Sequence, residues 1–168
     1  MEINFELTEE DFIKFNLYHM ENSPSQKKLY LSLRFALPLL CAVPIYLIET
    51  GVFRQSGLSW LTISILFAAG WIFFYPKRHK HILRKQIKKL LHEGDNSSLF
   101  GKKTMLIDEK YIKIFDEHSS ETILKNNIKS VKIYDDLILI YLSAITAHII
   151  PIRNLDEATK KQLIKELD

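Results

Sequence analysis

The sequence predicts an α+β membrane protein, with a two-helix transmembrane hairpin followed by a β-rich soluble part that a C-terminal helix closes. Three observations carry this. Two apolar stretches, Leu29–Ile48 and Leu58–Tyr75, are separated by a short polar loop. A basic run, PKRHKHILRKQIKK, follows the second stretch at once. Beyond it, short β-branched and aromatic runs recur at roughly ten-residue spacing and end in an amphipathic segment.

Residues 1–28 form the first segment. Ile3, Phe5 and Leu7 alternate with Glu2, Asn4 and Glu6, which predicts a half-buried strand. Thr8 and Asp11 have capping-box spacing, and Glu9, Glu10 and Asp11 suit the positive end of a helix dipole, so a helix is predicted from Thr8 with Phe12, Phe15 and His19 along one side. Asn22-Ser23-Pro24 ends it. Acids in a first helical turn are ordinary, and no partner chemistry makes them catalytic. The segment lacks the basic start and apolar centre of a cleavable signal peptide, so the first span is expected to direct insertion.

The hairpin occupies residues 29–75. Its second stretch, Leu58–Tyr75, has 18 residues without a charge, about 27 Å of helix at 1.5 Å per residue and close to the bilayer hydrocarbon thickness. It is apolar all round, with Trp60 near one end and Trp71, Phe73, Phe74 and Tyr75 near the other, in the manner of interfacial aromatic belts. In the first stretch only Phe35–Ile48 is uncharged. It reaches spanning length if Leu29–Leu33 also enter and Arg34, the single intramembrane charge, snorkels towards the headgroups. Cys41 lies inside this span as a small hydrophobe and offers no disulfide or metal framework.

Residues 76–94 are predicted as a basic juxtamembrane helix. Lys77, Arg78, Lys80, Arg84, Lys85, Lys88 and Lys89 supply the charge, and Ile82, Leu83, Ile87, Leu90 and Leu91 an apolar side. Lys27 and Lys28 precede the first span, whereas the loop Glu49–Gly57 has Arg54 alone, so both termini are expected in the cytoplasm. The formal net charge of +3 is concentrated here. Residues 1–28 carry six acids and three bases, and residues 95–168 twelve acids and eleven bases. That distribution argues against a nucleic-acid partner and for membrane-surface contact by the seven cations.

Residues 95–168 form the β-rich domain. The predicted strands are Lys103–Asp108, Tyr111–Asp116, Glu121–Lys125, Ser130–Tyr134, Leu137–Leu142 and His148–Ile152, with Asp135-Asp136 as a hairpin turn. Asn154 can cap a last helix with Glu157 reaching back, and Leu155, Ala158, Leu163 and Leu167 make its buried side. This order of elements is that of a pleckstrin-homology-type barrel or sandwich.

INFELTEEDFIKF, the two spans, the basic run, GKKTMLIDEKYIKIF, NNIKSVKIYDDLILIYL and HIIPIRNLDE together resemble the YcxB-like family of small bacterial membrane proteins. The resemblance covers essentially the whole chain through hydrophobic and turn positions rather than catalytic signatures. It implies a pleckstrin-homology-like C-terminal part and a multi-pass protein of the bacterial cytoplasmic membrane. Where the family often has a large aromatic, this chain has Ile123-Leu124-Lys125.

No motif for catalysis stands out: there is no phosphate-binding glycine loop among five glycines, no HExxH and no nucleophile elbow. His79 and His81 form an H-x-H pair, but the surrounding cations would repel an incoming metal. No catalytic, cofactor or metal residues are assigned. Two function classes follow. One is a non-enzymatic membrane protein that presents a cytoplasmic interaction domain to a protein or lipid partner, with homo-oligomers admitted. The other is an immunity-type protein that neutralises a membrane-active toxin.

Overall fold

The structure is a computed structural model that describes residues 1–153 and 155–167. The predicted cap at Asn154, with Glu157 reaching back to it, lies outside the described residues. The chain is α+β. Strand β1 (Glu2–Leu7) leads into helix α1 (Glu9–Asn22), then α2 (Pro24–Leu31), a π-helical turn (Ser32–Ala36) and α3 (Leu37–Gly51). Helix α4 (Gly57–Leu91) is followed by strands β2 (Gly101–Ile107), β3 (Tyr111–Phe115), β4 (Ser120–Leu124), β5 (Ser130–Ile133), β6 (Leu137–Tyr141) and β7 (Ala147–Pro151), and by helix α5 (Glu157–Leu167). Two compact units result, residues 1–16 with 87–168, and residues 17–86.

The first unit holds two antiparallel sheets, β1-β2-β3-β4 and β5-β6-β7. β1 pairs with β2 in the register Ile3↔Met105 and Phe5↔Lys103, so its alternating apolar residues all face the core. Gly101, opposite Leu7, has φ +104°, a left-handed conformation in which a side chain would be strained. Ile3, Phe5, Met105, Ile112, Ile114, Ile123, Ile138, Ile140, Ile150 and Leu163 make one continuous core. All six predicted strands form. The Asp135-Asp136 turn is present, closed by the Tyr134 N–H donating to the Leu137 carbonyl at 2.8 Å.

β6 is buried along its whole length. Ile138 and Ile140 enter the core, while Tyr141, on the opposite face, meets Phe15 of α1 with ring centroids 6.4 Å apart. The Lys14 ammonium donates to Asp136 at 2.6 Å beside it. The first half of α1 therefore covers the second face of that sheet, and the unbroken apolar run of β6 has this two-sided burial as its cause. On α5, Leu163 is fully buried, with Leu155, Ile164 and Leu167 packed on the core. Ala158, expected on the buried side, is exposed, because α5 turns Ile164 inward instead.

The second unit is helical. The segments from Pro24 to Gly51 form 28 consecutive helical residues and α4 has 35, and both are long and apolar enough to cross a membrane. Their most apolar windows are 11% and 0% buried within the protein, so almost nothing in the fold covers them. The expected loop shortens to 52–56, with Arg54 at φ +51°.

Candidate functional site

α4 carries the basic run as one uninterrupted helix, and Lys77, Arg78, Lys80, Arg84, Lys85, Lys88 and Lys89 are all exposed. Positions 74, 78 and 82 and positions 77, 81 and 85 stack one turn apart. Phe74 and Ile82 thereby share a shallow depression with Lys77, Arg78, His81 and Lys85. Ile82 and Leu90, expected on the apolar side of this helix, are exposed, whereas Leu83, Ile87 and Leu91 are half-buried. A 100° step per residue puts Leu83, Ile87 and Leu91 on one stripe about 80° wide, with Leu90 at its edge and Ile82 further round on the same side. Acid neighbours face several of the cations, with Lys80 paired to Glu21 at 2.6 Å, Lys88 to Glu9 at 3.9 Å and Lys89 to Glu93 at 3.8 Å.

Arg34 is half-buried and its guanidinium is engaged by protein. Its Nε donates to the Ile72 carbonyl at 3.2 Å and its NH1 group to the Tyr30 hydroxyl at 3.4 Å. Pro76 explains the first bond. A helical carbonyl normally accepts from the N–H four residues on, and for Ile72 that residue is proline, which has none. A matching bond runs the other way. The Leu37 N–H is given to Ser32 in the π-helical turn and Pro38 has no N–H, so the Leu33 carbonyl lacks its helical donors. The Trp71 indole Nε1 donates to it at 3.0 Å. Each helix thus supplies the donor for a carbonyl that proline frees in the other. The rings of Tyr30, Tyr75 and His79 pack around this clasp, with Tyr75 stacked on Trp71 at 5.7 Å.

Further ionic sites lie in the β-rich unit. Asp11 is buried at the start of α1. It accepts from the Thr8 N–H at 2.9 Å and the Thr8 hydroxyl at 2.6 Å, and it pairs with Arg153, whose NH2 also donates to the Glu6 carbonyl at 2.7 Å. Burial raises the pKa of Asp11, but the bonds from Arg153 and Thr8 outweigh it and leave the carboxyl below its ordinary value. Asp116 accepts from Lys103 Nζ at 2.5 Å and from the backbone of His118 and Ser119, and the ammonium foremost holds it well below the usual carboxylate range. His148 is half-buried in β7, its Nε2 enclosed, 3.6 Å from Glu121 Oε1 and without a hydrogen-bond partner. Burial pushes its imidazole down against the opposing pull of Glu121.

In the sequence Asp11 reads as the capping-box partner of Thr8 and one of three dipole-favouring acids, and nothing there singles out Arg153. A pair 142 residues apart leaves no local signal. The start of α5 has one: Asp156, directly before the helix, bonds the Thr159 side chain and is held below its ordinary pKa by it. Among the described residues no group of three His, Cys, Asp or Glu side chains is gathered where it could hold a metal ion. No protein-family model matches the chain, and neither does any curated protein or any solved structure.

Proposed function

We propose that this chain is a non-enzymatic integral membrane protein of YcxB-like type, inserted as a helical hairpin with both termini in the cytoplasm of a bacterium, where it presents a pleckstrin-homology-like domain to a protein partner. The observation that carries the reading is the uncovered apolar surface of the two long helices. Leu40, Leu66 and Phe73 are each about 70% exposed, and their windows are at most 11% buried. Each such side chain costs about 1.5–3 kcal/mol left in water, so over two helices the bilayer is the favoured solvent.

The domain assignment is supported by seven antiparallel strands in sheets of four and three, with one C-terminal helix against the core. The orientation is supported by Lys27, Lys28 and the α4 cations flanking the helices on one side. A protein partner is favoured over a headgroup for the β-rich domain because its charges nearly cancel, whereas lipid headgroups call for clustered cations. The exposed α4 run supplies that chemistry instead, as contact with the anionic membrane surface.

Single cysteines at Ser56 and Ser98, both exposed, test the arrangement after Cys41→Ala. An impermeant thiol reagent should label Ser56→Cys and not Ser98→Cys in intact cells. The reverse pattern refutes the topology, and recovery of the chain in the soluble fraction refutes insertion. Cross-linking from Ser98→Cys in membranes should then capture a protein, and capture of lipid alone would transfer the partner role to the bilayer.

A further inference from the structure

We propose that the cavity formed by the second half of α1, α2 and α4 is a binding site for one single-chain anionic amphiphile of about ten carbons. Its walls are Leu17, Met20, Tyr30, Leu31 and Leu83, and its volume is about 260 Å³. That is the liquid volume of about nine waters, and so of a chain with roughly as many methylenes. Water is a poor occupant of the apolar part, since each molecule needs two to four polar partners and, apart from the charged mouth, only Gln26, His79 and the Tyr30 hydroxyl bring polar groups to the lining. A volume of about 260 Å³ matches one such chain better than two.

The mouth is polar and sets the sign of the ligand. Glu21 and Lys80 pair across it at 2.6 Å and neutralise each other. Lys27 also lines it and makes no ion pair among the described residues, so the cavity carries one uncompensated positive charge. An acyl chain in the apolar part with its anionic head at Lys27 satisfies both ends. A free carboxylate or the phosphate of a one-chain phospholipid provides the same chemistry. The whole site lies within residues 17–86, apart from the β-rich domain, and its test does not depend on topology.

The test uses the full chain in phosphatidylcholine nanodiscs, with radiolabelled decanoate and decanoyl lysophosphatidate measured against protein-free discs. Saturable uptake of one molecule per chain is expected. Decanoate alone would assign a fatty acid, lysophosphatidate alone a one-chain phospholipid, and either supports the site. Leu83→Trp and Met20→Trp fill the cavity and should each abolish uptake while circular dichroism stays unchanged. Lys27→Gln, at an exposed position that does not put folding at risk, should weaken binding by up to about fivefold, as loss of one exposed ion pair does. Uptake equal to protein-free discs overturns the proposal. So does binding indifferent to Lys27→Gln and to whichever filling variant folds, or equal competition by a two-chain phosphatidate.

Discussion

Replacing Asp11 by Ala probes the joint between the start of the chain and its far end. Asp11 is 2% exposed and accepts three contacts, from the Thr8 N–H, the Thr8 hydroxyl and Arg153. Its removal takes away the capping-box acceptor, worth about 1 kcal/mol. It also breaks a buried ion pair, which costs roughly 3–5 kcal/mol when both partners are sequestered. The Arg153 side chain is 40% exposed and regains water, so the pair contributes far less than that range and about 2 kcal/mol in all is a fair expectation. For a unit of this size that lowers the melting temperature by roughly 8–16 °C. Thermal unfolding of the full chain in mild detergent measures it, and a cycle with Arg153→Ala should give a coupling of about 0.5–1.5 kcal/mol. The pH dependence has a fixed sign. Because the folded carboxyl lies below its ordinary 3.8, its stabilisation is complete above that value and fades as pH falls through the lower folded pKa. A loss under about 0.5 kcal/mol, or zero coupling, would refute the reasoning.

Leu163→Asp buries a charge at a fully enclosed position and should cost several kcal/mol; an unchanged melting temperature would remove α5 from the core. Arg34→Leu should weaken the helical hairpin in detergent by about 0.6–1.7 kcal/mol, and Pro76→Ala, which restores an N–H for the Ile72 carbonyl, should reduce that cost; equal losses in both backgrounds would dissolve the clasp. His148 has its folded pKa pushed below 6.5, so the stability gained from keeping it neutral is present above that pH and lost as pH falls through the folded value. His148→Gln should flatten the stability profile on the acid side of 6.5, and a slope identical to the parent's would assign the dependence to other groups.

Much of the architecture was legible because it is written in local periodicity. The period of two in Ile3, Phe5 and Leu7, the β-branched runs of the six later strands, and the uncharged Leu58–Tyr75 each depend on neighbours a few residues away. The capping box at Thr8 and Asp11 and the Asp135-Asp136 turn are local in the same sense and form as read. The basic run was legible as charge, but its apolar stripe was misjudged, since a helix admits neighbouring stripes and only packing selects Leu83, Ile87 and Leu91.

The sequence by itself determined the kinds of elements, their order and the segregation of apolar helices from a charged β-rich part, because hydrophobic pattern and turn chemistry act over short range. Only the tertiary structure decided that β1 completes the sheet of β2, about a hundred residues later, with two long helices inserted between them. It alone joined Asp11 to Arg153 and turned Arg34 and Trp71 towards carbonyls that Pro76 and Pro38 leave without helical donors. Those choices rest on which distant donors and acceptors are left unsatisfied once the chain is folded, and an unsatisfied group exists only in three dimensions.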